Sequence, residues 1–117
     1  MWAFSFWSSR HKQLIISRDR FGVKPLYFHK SKSNFVFASE PKAILNIFPK
    51  LRNMNEKVLL NFLKYNSIFT ENKSFYKDIS IFPQAHYGIY SPANRKLNIF
   101  SYWDYPKTMN KNISLDE

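Results

Sequence analysis

Arg18-Asp19-Arg20-Phe21-Gly22-Val23-Lys24-Pro25-Leu26-Tyr27-Phe28 is the stretch around which the chain is organised. Gln13 to Ser17 before it is short, β-branched and bounded by polar groups, the pattern of a strand. Leu26 to His29 after it reads as a second strand. Between them stand Gly22, one of only two glycines, and Pro25. A glycine accepts a positive φ that a Cβ resists, and a proline fixes its own φ and keeps the preceding residue extended. The spacing predicts a tight, stiff connection with three charged residues, Arg18, Asp19 and Arg20, crowded at its start.

Working outward, Met1 to Trp7 has period two, with Trp2, Phe4 and Phe6 on one face and Ala3, Ser5 and Trp7 on the other. That reads as a strand apolar enough to be covered on both faces, paired with Gln13–Ser17 as an antiparallel hairpin. Phe35 to Ala38 is a fourth strand, and the short connections predict a four-stranded meander in one sheet. Ser39 is placed to cap a helix, Glu40 to favour its positive end and Pro41 to start it. Ile44, Ile47 and Phe48 predict its apolar stripe and Pro49 its end. A second helix, capped by Asn53 or Asn55, pairs Val58 with Phe62 and Leu59 with Leu63. His86–Tyr90 and Lys96–Trp103 read as further strands around a turn at 91–95, and 69–73 as a polar loop. From Pro106 the composition is that of a linker, and Ser114 with Glu117 has capping-box spacing.

At 117 residues the chain is at most one domain, long enough for one core. It is 44% hydrophobic and 19% aromatic, which argues against intrinsic disorder. No stretch has the length and apolarity of a transmembrane helix, and the apolar start lacks the basic region of a signal peptide. With no cysteine there is no disulfide framework, no thiolate metal site and no cysteine nucleophile. Lys and Arg outnumber acids by 18 to 8. Such a balance suits nucleic acid or an anionic surface. The cations are spread along the sequence, however, and Lys, Asn, Ile and Phe rise together, as A/T-rich coding would make them. Nucleic acid and membrane are therefore not the expected partners, and no metal site is expected.

Arg18-Asp19-x-x-Gly22-x-x-Pro25-Leu26-Tyr27, then Phe37-Ala38-Ser39-Glu40 and Lys42-Ala43-Ile44-Leu45, resembles the second half of a class II glutamine amidotransferase domain. Phe75-Tyr76-Lys77-Asp78-Ile79, Phe82-Pro83 and Tyr102-Trp103 tilt the resemblance towards the glutaminase domain of glutamine-hydrolysing asparagine synthetases. The similarity spans about residues 1–106, in the family's order. One departure is Pro83-Gln84-Ala85, where the family has glycine or alanine directly after proline; Gln84 is expected to alter a turn and not the fold.

The resemblance implies an α+β fold, a partial αββα sandwich of the N-terminal-nucleophile hydrolase type, mostly antiparallel with two short helices. It divides the chain into a partial amidotransferase domain over 1–106 and a linker over 107–117 towards a synthetase domain. In that family an N-terminal cysteine attacks the glutamine amide, and ammonia passes to a domain where ATP and magnesium activate aspartate. None of those catalytic residues matches a position here: Met1 is followed by Trp2, and there is no Gly-rich phosphate loop.

The expected reading is thus a fragment starting at an internal methionine, inactive alone, cytoplasmic, without its own cofactor. Its partners would be the missing glutaminase half and synthetase domain, on separate chains or the same one. No catalytic residue is assigned. Arg18, Asp19, Gly22, Pro25, Ser39 and Glu40 are structural-loop and domain-junction candidates, and Met1 falls where the family has a tunnel-lining methionine. Two alternatives stay open: a related amidotransferase with another acceptor, and a stand-alone basic β-rich module that binds nucleic acid.

Overall fold

The computed structural model describes residues 1–66 and 72–106. The linker expected over 107–117, its capping box, and most of the loop expected at 69–73 lie outside the described residues. The elements run β1 (Ala3–Ser8), β2 (Gln13–Arg18), β3 (Tyr27–Lys30), β4 (Phe35–Ala38), α1 (Pro41–Ile47), one 3-10 turn (Pro49–Leu51), α2 (Glu56–Tyr65), β5 (Ser80–Ile81), β6 (His86–Ser91) and β7 (Lys96–Ser101).

The strands form two sheets and not one meander. One sheet has the order β1-β2-β6-β7 and the other β4-β3-β5, with antiparallel pairing throughout. The expected meander fails between β2 and β3, where the chain leaves the first sheet and enters the second. A hairpin would have demanded that the segment after Arg18 fold straight back. Here it crosses the gap of about 10 Å between packed sheets, and Leu26 is buried on the way.

Register decides which side chains fill that gap. Ile16 lies opposite Ser5 on β1 and Gly88 on β6, so Ala3, Leu14 and Ile16 share the inner face of the first sheet. They meet Phe28, Phe35 and Phe37 from the second sheet around fully buried Phe82. The alternate residues of the second sheet, Tyr27, Val36 and Ala38, point the other way, onto Ile44 and Leu45 of α1 and Ile79. The layers are therefore sheet, sheet and helix, an α+β arrangement consistent with part of a sandwich. The outer face of the first sheet carries Phe4, Phe6 and Phe100, all exposed. Strand β1 was expected to be covered on both faces. It is an edge strand instead, and Phe6 is 58% exposed.

Both helices fall where periodicity places them, with local corrections. The N-cap of α1 is Glu40, extended at φ −132°, with no side-chain bond, so Ser39 does not cap it. Pro41 at the first helical position explains this: it holds the residue before it out of the helical region, which puts the boundary at Glu40. The buried stripe is Ile44 and Leu45, with Phe48 packed beside them, whereas Ile47 is 68% exposed. On α2, Asn55 caps by accepting from the Val58 N–H at 3.4 Å. Val58 is fully buried, and Phe62 meets Phe75 edge-on at 5.5 Å. Leu63 is exposed, so the expected pair with Leu59 is not a buried one.

Candidate functional site

Where β2 ends, the peptide groups of residues 19–24 lose their ladder partners and must find others. Two adjacent side chains supply them with opposite polarity. Asp19, only 4% exposed, accepts from the backbone. Its Oδ1 takes the N–H groups of Phe21 and Val23, each at 3.1 Å, and its Oδ2 those of Lys24 at 3.0 Å and Trp2 at 3.3 Å. Arg18 donates to carbonyls. Nε reaches Lys24 O at 2.8 Å, Nη1 reaches Phe82 O at 2.7 Å and Nη2 reaches Gly22 O at 2.6 Å.

The main chain of the same two residues is also engaged. Asp19 N–H donates to Trp2 O at 2.9 Å, and Asp19 O accepts from Gly22 at 3.1 Å and Ala85 at 3.0 Å. Tyr102 Oη donates to Arg18 O at 2.7 Å. The clamp thus gathers the chain's start, the crossover, the segment after β5 and the residue after β7.

Electrostatics suits a clamp and not acid–base chemistry. Desolvation alone would raise the Asp19 carboxyl. The N–H groups of Lys24, Val23, Phe21 and Trp2 outweigh it and hold the pKa at about 2. Asp19 is therefore a fixed anion with its oxygens already occupied, and it offers no proton or vacant base. Arg18 is lowered by desolvation, opposed by the charge of Asp19. The Tyr102 hydroxyl is raised by desolvation and by Asp19, opposed by Arg20.

Gly22 belongs to the clamp for a steric reason. Its φ is +63°, and a Cβ there would stand 3.0 Å from Cζ and Nη2 of Arg18. Pro25 is exposed, directly after Lys24, whose two peptide groups the clamp holds. Met1 is 82% exposed and, with Trp2, Asp19, Arg20, Phe21 and Tyr102, lines an open hollow of about 340 Å³. Ser39 and Glu40 are not among the clamp's partners. Ser39 lines a separate hollow of about 190 Å³ with Ala3, Phe4, Ser5, Leu26 and Phe37, between the unpaired edges of β1 and β4.

Beside the clamp, the Arg20 guanidinium lies 5.6 Å from the Trp103 ring centroid, and Phe21 meets the same ring edge-on. Sequence reasoning assigned no role to Trp2, Phe82, Ala85 or Tyr102 in this site. The first three act through main-chain groups, which leave no residue-type signal. Tyr102 was visible only as part of a Tyr-Trp landmark. Gln84 is exposed and the residue after it, Ala85, takes φ 58°, so the departure from the family pattern does fall in a turn.

Among the described residues no three His, Asp or Glu side chains come together to hold a metal ion. The sequence also lacks a Gly-rich phosphate loop. No helix among the described residues is long and apolar enough to cross a membrane.

Comparison with known proteins matches residues 1–103 to a glutamine amidotransferase domain family. A putative glutamine-hydrolysing asparagine synthetase of Methanocaldococcus jannaschii is 30% identical over 91% of this chain and 21% of its own length. Asparagine synthetase 3 of Bacillus subtilis is 32% identical over 89% of this chain and 17% of its own length. Amidase chry2 of Gibberella zeae is 26% identical over 98% of this chain and 16% of its own length. The chain spans about a fifth or less of the relatives it matches.

Proposed function

The chain belongs to the glutamine amidotransferase domain family, and from that premise we propose that it is the non-catalytic half of such a domain, in a protein of the asparagine synthetase type. In the whole protein, on this reading, glutamine is hydrolysed, ammonia is channelled, and aspartate is amidated at the expense of ATP elsewhere. The observation that carries the reading is the coincidence of a family match over nearly every described residue with the complete lack of a cysteine. On this reading the nucleophile that splits glutamine comes from a segment outside these 117 residues.

The architecture supports a scaffolding role. The unpaired edges of β1 and β4 border one hollow, so a companion segment has a backbone edge to extend and an apolar floor to fill. With a companion in place the sandwich would be of the N-terminal-nucleophile hydrolase type. The clamp at Arg18–Asp19 sits beside the start of β1, where Arg20, Phe21, Trp103 and Tyr105 present an aromatic surface at the last described residues. That surface suits the junction with a following domain. The resemblance would place such a protein in the cytoplasm.

A purified sample of the chain incubated with glutamine is expected to release ammonia no faster than a buffer blank. Turnover above the blank would refute the reading, because no residue assigned here could supply the nucleophile. A second reading, a related amidotransferase with another acceptor, is favoured by the fungal relative that is named an amidase.

A further inference from the structure

Part of the positive charge, spread in the sequence, is gathered in space. β1 and β2 are joined by a turn at 9–12 and β6 and β7 by a turn at 92–95. The antiparallel order β1-β2-β6-β7 puts both at the same end of the first sheet. Arg95 Nη1 donates to the carbonyl of Lys32 at 3.2 Å, which fixes the β3–β4 turn to that same end across the sandwich. Three turns thus gather Arg10, Lys12, Lys30, Lys32, Arg95 and Lys96 on one rim, with His11 among them. The segments 8–13, 30–35 and 91–96 contain no acid. An acid beside the second sheet is Asp78. It lies two residues before Ser80, on the β5 edge, where its carbonyl contacts His29.

We propose that this rim binds single-stranded nucleic acid through its phosphates. Its tips, 9–12, 31–34 and 92–95, carry serine, arginine, histidine, lysine, asparagine, proline and alanine, with no large apolar side chain among them to wedge into a bilayer. Sheets about 10 Å apart set the turns at a spacing that lets an extended strand touch more than one of them. Trp7, at the end of β1 beside the first turn, is 47% exposed and offers a ring on which a base can stack. An acidic peptide would satisfy the cations but leave that ring unused. This inference is independent of the glutaminase reading, since neither needs the other.

The experiment follows the anisotropy of a labelled oligothymidine of about 15 nucleotides with the intact chain, starting at about 50 mM salt. Binding should weaken with salt on a log–log slope of about −2 to −4, the value for three to six phosphates on a single strand. Replacing one cation on each turn, Arg10→Glu with Lys32→Glu and Lys96→Glu, should lower affinity at least about tenfold. Lys42→Glu with Lys57→Glu and Lys64→Glu removes the same charge from the helices and should change affinity less than about twofold. Tryptophan emission, from Trp2, Trp7 and Trp103, should be quenched on binding in the parent chain and measurably less in Trp7→Phe. Absence of binding at the lowest salt would overturn the proposal. So would equal losses in the two triple variants, or equally tight binding to polyglutamate or phosphatidylserine vesicles. The salt slope of the unsubstituted chain tests the proposal even if a triple variant fails to fold.

Discussion

Arg18 and Phe82, 64 residues apart, meet at 2.7 Å, guanidinium Nη1 to main-chain carbonyl. Arg18 ends a strand of the first sheet, and Phe82 follows the edge strand of the second, so this bond ties the two sheets together. Replacing Arg18 with Ala removes donors from three carbonyls at once. The loss should be about 2–4 kcal/mol, since bonds to charged groups are worth more than neutral ones and their partners are left partly buried. Arg18→Lys should recover less than half of it, because an ammonium cannot present the planar fork that spans the three acceptors. Urea unfolding measures both, and a shift of under about 0.5 kcal/mol for Arg18→Ala would show that water replaces the clamp.

The carboxylate next to it makes stability depend on acid. Asp19 is held at about 2 against an ordinary 3.8, so the unfolded chain takes up its proton first. The stability it contributes is complete above pH about 5 and is lost as pH falls through 3.8 towards 2. Allowing for screening by water, a shift of this size contributes about 1–2 kcal/mol. Asp19→Asn should remove that part of the acid dependence while lowering stability at pH 7. A variant whose stability falls between pH 5 and 2 as steeply as the parent's would assign the acid limb to other groups.

The strands at 13–17, 35–38, 86–90 and 96–101 were legible because short β-branched and aromatic runs between polar turns are a local signal that packing does not alter. The same holds for the helix start at Pro41 and, as one of two candidates with Asn53, the cap at Asn55, which are local. The crossover was not legible. Gly22 and Pro25 announce a change of direction but carry no information about which sheet receives the chain. The partners that decide it, the Phe82 carbonyl and the Ala85 N–H, are main-chain groups more than sixty residues away. Nor could the basic rim be read from spacing, since it exists only once three turns share an end.

Two glycines should respond to the same substitution for different reasons. Gly22→Ala meets a backbone at φ +63° and a guanidinium 3.0 Å from the new Cβ. It should cost about 1–2 kcal/mol from the backbone, and more because Arg18 must shift off its carbonyls. Gly88→Ala instead presses on the ring of fully buried Phe82 at 3.1 Å and on Leu97 at 3.2 Å, an overpacking cost of about 1–3 kcal/mol. The two are separable. Phe82→Leu, which shortens the ring side, should relieve Gly88→Ala and leave Gly22→Ala unrelieved. Identical responses in the double variants would mean that both act through one site.

The outer face of the first sheet supplies the last test. Phe4 and Phe6 stand on β1 with their rings about half in water, opposite Ser17 and Ile15. Exposed rings on an unpaired edge strand favour association between copies, because the strand presents free main-chain groups beside apolar surface. Phe4→Thr with Phe6→Thr puts β-branched residues, favourable in a strand, in place of the rings and removes that surface. Stability should change by less than about 1 kcal/mol, since half-exposed rings contribute only part of their transfer free energy. Light scattering should show fewer large species in the variant at equal concentration. A stability loss beyond about 2 kcal/mol would mean that the face is covered in solution, with β1 paired to something other than solvent.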